Sequence, residues 1–172
     1  IMMAASAAQG TTIIEHAACE PEIVELALFL RELGVEVEGA GSHCLTIQGI
    51  PELPDEDFEF TVIPDRIEAG TFLMAAILTR GEVTLLNCEP DHVGALIDKL
   101  RLTGAEIDVS GSSIHVKSRQ KIASVDVKTQ PYPGFPTDMQ AQFMVLMSVA
   151  SGTSIISETI FENRFIHVSE LK

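Results

Sequence analysis

The stretch Met74-Ala-Ala-Ile-Leu-Thr-Arg-Gly-Glu-Val-Thr-Leu85 changes character at Gly81, from an apolar helical run to a short β-branched strand. The same change occurs at Gly10 within Met3-Ala-Ala-Ser-Ala-Ala-Gln-Gly-Thr-Thr-Ile-Ile14. It occurs again at Gly152 within Val145-Leu-Met-Ser-Val-Ala-Ser-Gly-Thr-Ser-Ile-Ile156. The three glycines recur at a constant 71-residue interval. Self-similarity at fixed spacing marks a chain built from repeated supersecondary units. Each glycine is expected at a helix C′ position, where a positive φ is needed.

The middle copy defines the unit. Residues 58–63 alternate as a strand, and Pro64-Asp65 with Glu68 three residues on reads as a capping pattern opening a helix over 65–80. A strand over 82–87 follows. Next comes a helix over 90–103 with Val93, Leu96, Ile97 and Leu100 on one face, stopped by Gly104. Two strands, 105–109 and 113–117, turn at Ser110-Gly-Ser112. The unit is β-α-β-α-β-β. Working outward, the first copy shows a strand at 11–15, a helix from Pro21 to Leu33 stopped at Gly34, and strands at 35–38 and 44–48. The third runs from a strand at 125–129 through a helix at 137–150 to a strand at 153–157. Ile1 aligns with Phe72 and Phe143, so both ends fall inside a repeat, as in a segment of a longer protein. Between the first two copies, residues 49–60 hold two prolines and five acids, a solvated connector. The expected boundary is near Ile63, with residues 1–63 on one side and 64–172 on the other.

Composition narrows the function. With 25 acids against 11 bases the net charge is −14, which argues against a nucleic-acid partner. An anionic small substrate would need cations from elsewhere. No apolar run reaches the ~18 residues of a membrane span. The opening apolar residues also lack the basic flank of a signal peptide. Cys19, Cys44 and Cys88 are far apart with no C-x-x-C, as in reduced cytosolic thiols. The five histidines are scattered, so no metal site is expected.

Chemistry concentrates in Pro131-Tyr-Pro-Gly-Phe-Pro-Thr-Asp-Met-Gln140 and, further on, Phe161-Glu-Asn-Arg-Phe165. Prolines stiffen the approach to a helix start that carries Thr137 and Asp138. A carboxylate there is suited to act as a base. Thr137-x-x-Gln140 also reads as a capping box, and both readings stand on the residues alone.

Taken together, Pro133-Gly-Phe-Pro-Thr-Asp-Met-Gln-Ala-Gln142, Glu158-Thr-Ile-Phe-Glu-Asn-Arg-Phe165, Pro64-Asp-Arg-Ile-Glu-Ala-Gly-Thr-Phe-Leu73 and Ala17-Ala-Cys-Glu-Pro-Glu22 resemble the UDP-N-acetylglucosamine 1-carboxyvinyltransferases of the enolpyruvyl transferase family. The resemblance spans the whole chain but well under half of a complete member. It implies an α/β fold, two domains each built from three repeats as an inside-out α/β barrel, with the active site in the cleft between them. Residues 1–63 would be the last repeat of one domain and 64–172 the start of the other. It also implies the reaction: the enolpyruvyl group of phosphoenolpyruvate passes to the 3′-hydroxyl of UDP-N-acetylglucosamine, with no cofactor, early in peptidoglycan precursor synthesis.

By the same resemblance Asp138 is the base at the sugar hydroxyl, and Ile160 contacts the nucleotide-sugar through its backbone. Phe161 and Arg164 follow in that motif, and Arg164 either faces the cleft or pairs with a surface acid. Glu20 lies near the cleft, and Arg66 is a hinge or cleft residue. The family's reactive cysteine lies upstream of Ile1 and none of the three cysteines matches it. The cations that hold phosphoenolpyruvate also lie outside this window, so the segment alone is expected to be inactive. Cys19 stands where relatives often carry a basic residue. Two other readings are an acidic, non-catalytic interaction module and a shikimate 3-phosphate enolpyruvyl transferase. Incomplete repeats at the ends leave edges through which the segment could self-associate.

Overall fold

Alternating apolar residues need a face to bury, and two sheets with the same connectivity supply it. The computed structural model describes residues 1–172 except Pro51, Leu53 and Glu56. The connector reading at those three positions therefore lies outside the described residues. Two compact units, Ile1–Ile63 and Pro64–Lys172, are described in turn.

In the first unit, α1 (Met2–Ser6) leads into β1 (Thr11–Glu15), α2 (Pro21–Glu32), β2 (Glu36–Glu38) and β3 (Cys44–Gln48). The antiparallel sheet has the order β1-β3-β2. Leu45 and Ile47 point to one face of β3 and bury with Ala27 and Leu30 of α2 and Met2 and Ala5 of α1. Pro21 occupies the first helical turn, where its missing N–H costs nothing. Gly34, at φ 86°, ends α2, with Gly34 N donating to Arg31 O (2.9 Å) and Val35 N to Leu30 O (3.0 Å). Arg31 Nε then donates to Val37 O at 2.8 Å, tying the helix end to β2.

The strand expected at 58–63 does not form. Alternation is satisfied by packing instead of pairing: the rings of Phe58 and Phe60 lie 5.4 and 5.3 Å from that of Phe29 on α2. Ile63 N donates to the Glu25 carboxylate rather than to a strand.

The second unit begins with α3 (Arg66–Leu78), capped as expected by Asp65, which accepts from Ile67 N at 2.7 Å and Glu68 N at 3.2 Å. Then come β4 (Glu82–Leu85), a 3-10 turn (Pro90–Val93) continuing into α4 (Gly94–Leu102), β5 (Glu106–Ser110) and β6 (Ser113–Lys117). The sheet order β4-β6-β5 repeats the first unit's pattern, so the repeat read in the sequence is a repeat of topology. Val93, Leu96, Ile97 and Leu100 are all buried, as their spacing predicts. Beyond lie β7 (Val127–Lys128), a 3-10 turn (Thr137–Met139), α5 (Gln140–Ser148) and β8 (Ile156–Ser157), with β7 and β8 parallel. The strands expected at 125–129 and 153–157 are thus much shorter, and single bridges, Ala123–Ser151 and Thr129–Phe135, extend them.

The recurring glycines require a correction. The helices end before them, at Ser6, Leu78 and Ser148, so none is a C′ residue. Gly10 and Gly152 have positive φ, but Gly81 does not. At the end of α3 the left-handed residue is Arg80, φ 55°. Arg80 N donates to Ile77 O (3.0 Å) and Gly81 N to Ala76 O (2.8 Å), a Schellman pair with arginine where glycine is usual.

Close packing places α3 against the segment that leads into α5. Gly70 on α3 is buried, and a Cβ there would stand 2.6 Å from Met139 Sδ and Cε and 2.7 Å from Leu96 Cδ2. Met139 and Leu96 are both fully buried.

Candidate active site

Two buried side chains set the Pro131–Gln140 segment on the core. Phe135 packs edge-on against Phe143, centroids 5.3 Å apart, and Met139 is fully buried four residues later. Between them Gln130 N donates to Phe135 O (2.9 Å), Gly134 N to Pro131 O (2.8 Å) and Met139 N to Pro136 O (3.1 Å). These local bonds close the turn. Asp138, beside the Met139 anchor, is left exposed.

Arg164 Nη2 donates to Asp138 Oδ1 at 2.7 Å. The guanidinium also lies 5.3 Å from the centroid of Phe161, whose face attracts a cation. Asp138 Oδ2 has no hydrogen-bond partner among the described residues. The two motifs therefore meet, with one carboxylate oxygen oriented and the other available. Arg164, for which a cleft-facing role or a pair with a surface acid was expected, pairs with Asp138, the expected base itself.

The capping-box reading of Thr137 and Gln140 is overturned. No side chain caps α5. Thr137 Oγ1 donates instead to Glu158 Oε2 at 2.8 Å. The Gln140 amide is fully buried, with neither its nitrogen nor its oxygen bonded to a protein group. The Thr137 side chain is turned toward this charged acceptor, which makes a stronger bond than a neutral one, and so its oxygen does not accept from the N–H groups of the helix start. Glu158 collects further donors: Thr129 Oγ1 at 2.8 Å, Ile160 N at 2.8 Å and Phe161 N at 3.3 Å, all on Oε1. Partial burial pushes this carboxyl up. Donation from Ile160, Thr129, Thr137 and Phe161 outweighs that and holds its pKa down at about 2.

The remaining expected residues fall as follows. Ile160 and Phe161 are exposed, with the Ile160 amide bound to Glu158. Arg66 is buried, its guanidinium 5.8 Å from the Tyr132 ring, and so stands against the proline-rich approach. Glu20 belongs to the first unit, at the N-cap of α2, with no capping hydrogen bond from its side chain. Beside it the Cys19 sulfur lies 3.3 Å from His43 Nδ1. Sequence reasoning missed Glu158 and Thr129 as participants. Their donors come from segments some thirty residues apart, and no local spacing signals that. Among the described residues no group of three or more His, Cys, Asp or Glu could hold a metal ion, and no helix is long and apolar enough to cross a membrane.

Comparison with known proteins gives a consistent result. Residues 1–172 match the family described as EPSP synthase (3-phosphoshikimate 1-carboxyvinyltransferase). The UDP-N-acetylglucosamine 1-carboxyvinyltransferase of Desulfosudis oleivorans is 60% identical over 172 residues, which are 100% of this chain and 41% of that protein. UDP-N-acetylglucosamine 1-carboxyvinyltransferase 1 of Caldanaerobacter subterraneus subsp. tengcongensis is 55% identical over the same span and share. Among solved structures, the enolpyruvyl transferase NikO from Streptomyces tendae superposes with a TM-score of 0.81 at 25% identity. That match covers 96% of this chain and 40% of that one. The chain spans about two fifths of the length of the relatives it matches.

Proposed function

Because the chain belongs to the EPSP synthase family of enolpyruvyl transferases, we propose that it is a segment of an enzyme that moves the enolpyruvyl group of phosphoenolpyruvate to the 3′-hydroxyl of UDP-N-acetylglucosamine. The reaction belongs to the cytoplasm, and its product feeds peptidoglycan synthesis and thereby wall growth. In the whole protein, residues 1–63 complete one domain and residues 64–172 begin the second. The names of the relatives at 60% and 55% identity support the choice of nucleotide sugar.

The chemistry is an addition followed by an elimination of phosphate. The sugar hydroxyl must lose a proton as its oxygen attacks, and Asp138 Oδ2 takes it while Arg164 fixes the carboxylate through Oδ1. Ile160 and Phe161 border the sugar-nucleotide, and Glu20 and Arg66 contribute to substrate binding in the whole protein. The phosphoenolpyruvate-binding cations and the general acid come from the rest of the protein. The observation that carries the reading is the 2.7 Å Arg164–Asp138 contact, which unites the two motifs at one exposed carboxylate.

The test is phosphate release by the full-length protein from phosphoenolpyruvate with UDP-N-acetylglucosamine, run beside shikimate 3-phosphate. Turnover is expected with the nucleotide sugar only. Asp138→Ala is expected to lower kcat by about 100-fold or more, the usual contribution of a positioned base. A near-normal rate in a folded variant removes Asp138 from the chemistry, and turnover of shikimate 3-phosphate instead replaces the substrate. This segment alone is expected to release no phosphate.

A further inference from the structure

We propose that Glu158 is a positioning residue that locks the Asp138 turn to the Ile160–Phe161 loop, so that base and loop address one substrate in a fixed relation. The inference rests on the function proposed above and adds a residue to it. Glu158 binds three separate pieces of chain. Through Oε2 it holds Thr137, the residue before Asp138, at 2.8 Å. Through Oε1 it holds the backbone of its own loop at Ile160 and Phe161. Through Oε1 it also holds Thr129, a fully buried residue just past β7. Thr129 is itself fixed, since its N donates to Ser157 O at 2.9 Å and its hydroxyl accepts from Thr159 N at 2.9 Å.

The carboxylate thus references the Asp138 turn and the Ile160–Phe161 loop to one rigid point. Three of its donors crowd Oε1 and the fourth occupies one side of Oε2, so its hydrogen bonds go to the protein and its action is indirect. Charge matters as well as shape. Four donors converge on it, and charge-assisted bonds are roughly twice as strong as neutral ones. Without it, the exposed Asp138–Arg164 pair is the remaining side-chain hydrogen bond between turn and loop among the described residues. An exposed pair of that kind restrains geometry weakly. A displacement of about 1 Å in a reacting group can cost about 100-fold in rate.

The experiment compares wild type, Glu158→Ala, Glu158→Gln and Thr137→Val in the full-length protein. Glu158→Ala is expected to lower kcat/KM for the nucleotide sugar about 100-fold, with KM for phosphoenolpyruvate unchanged. Glu158→Gln retains an acceptor for Thr129, Ile160 and Phe161 but loses the charge and the acceptor for Thr137, and is expected to recover only part of that loss. Thr137→Val is expected to impair turnover while leaving the Ile160 and Phe161 amides protected from hydrogen exchange. Wild-type kcat/KM in Glu158→Ala, or Glu158→Gln no better than Glu158→Ala, overturns the proposal. If Glu158→Ala does not fold, the Thr137→Val result decides, and normal turnover in it overturns the lock. If the wild-type protein turns over neither acceptor, the proposed function fails separately. Exchange at Ile160 and Phe161 then tests the lock alone, and unchanged protection in Glu158→Ala counts against it.

Discussion

The hydrogen bonds to Glu158 favour its charged form, and that shows up as pH dependence. Its carboxyl titrates near 4.5 when free and at about 2 in the fold. The folded value is the lower one, so the stabilisation is fully present above about 4.5 and disappears as pH falls through the interval to about 2. The loop is therefore expected to loosen in acid before the core does. Hydrogen-exchange protection at Ile160 and Phe161 should fall between pH 4.5 and 2, and this pH dependence should vanish in Glu158→Gln. A profile identical in both proteins would disprove the assignment. At this scale the sequence was legible only where a motif carried it. Asp138 and Arg164 were singled out through the family pattern, but that their side chains meet was not read. Glu158 was quoted in the motif yet had no role, because its donors Thr129 and Thr137 reach it only after β7 and β8 have paired. Thr137 misled for a related reason: a local capping pattern cannot report a distant carboxylate.

Helices and hairpins were legible because period, caps and turns are local. Asp65 caps α3 as its spacing indicates, and Gly34 and Gly104 stop their helices with positive φ. What failed was anything that depended on a partner. Residues 58–63 alternate like a strand, but alternation specifies a buried face and not an edge to pair with, and Phe29 supplied the face. The helix expected from Thr137 opens as a 3-10 turn, since Met139 is drawn into the core before regular α geometry begins. At the end of α3 the 71-residue alignment pointed to Gly81, whereas the left-handed conformation fell one residue earlier on Arg80. A side chain held there is strained by about 1 kcal/mol relative to glycine. Arg80→Gly is accordingly expected to stabilise the second unit by about that amount, read as a higher denaturant midpoint at unchanged slope. An unchanged or lower midpoint would show that Arg80 makes compensating contacts.

For the whole chain, the repeat proved the most durable reading. It survives as two sheets of identical order whose cores are separate: Leu45 and Ile47 anchor one, and Leu73, Leu96, Leu100 and Phe143 anchor the other. Duplicated topology does not duplicate chemistry. The proline-rich approach and its carboxylate occur in one copy, and the sequence could show that they were unusual but not what they touched. The contact between Gly70 and Met139 extends the argument beyond the site. A surface-blind choice would favour Gly70→Ala, since alanine suits a helix better than glycine by about 1 kcal/mol. Here the added methyl would collide with two buried side chains, and overpacking costs about 1–3 kcal/mol. The variant is expected to lose stability. Turnover of the full-length protein should fall with it, because Met139, one of the two side chains met, is bonded to Asp138. A higher melting temperature with intact turnover would refute this. Sensitivity to mutation should then map onto the chain as a line of mechanical transmission, from an inert-looking position on one helix to the carboxylate proposed as the base almost seventy residues later.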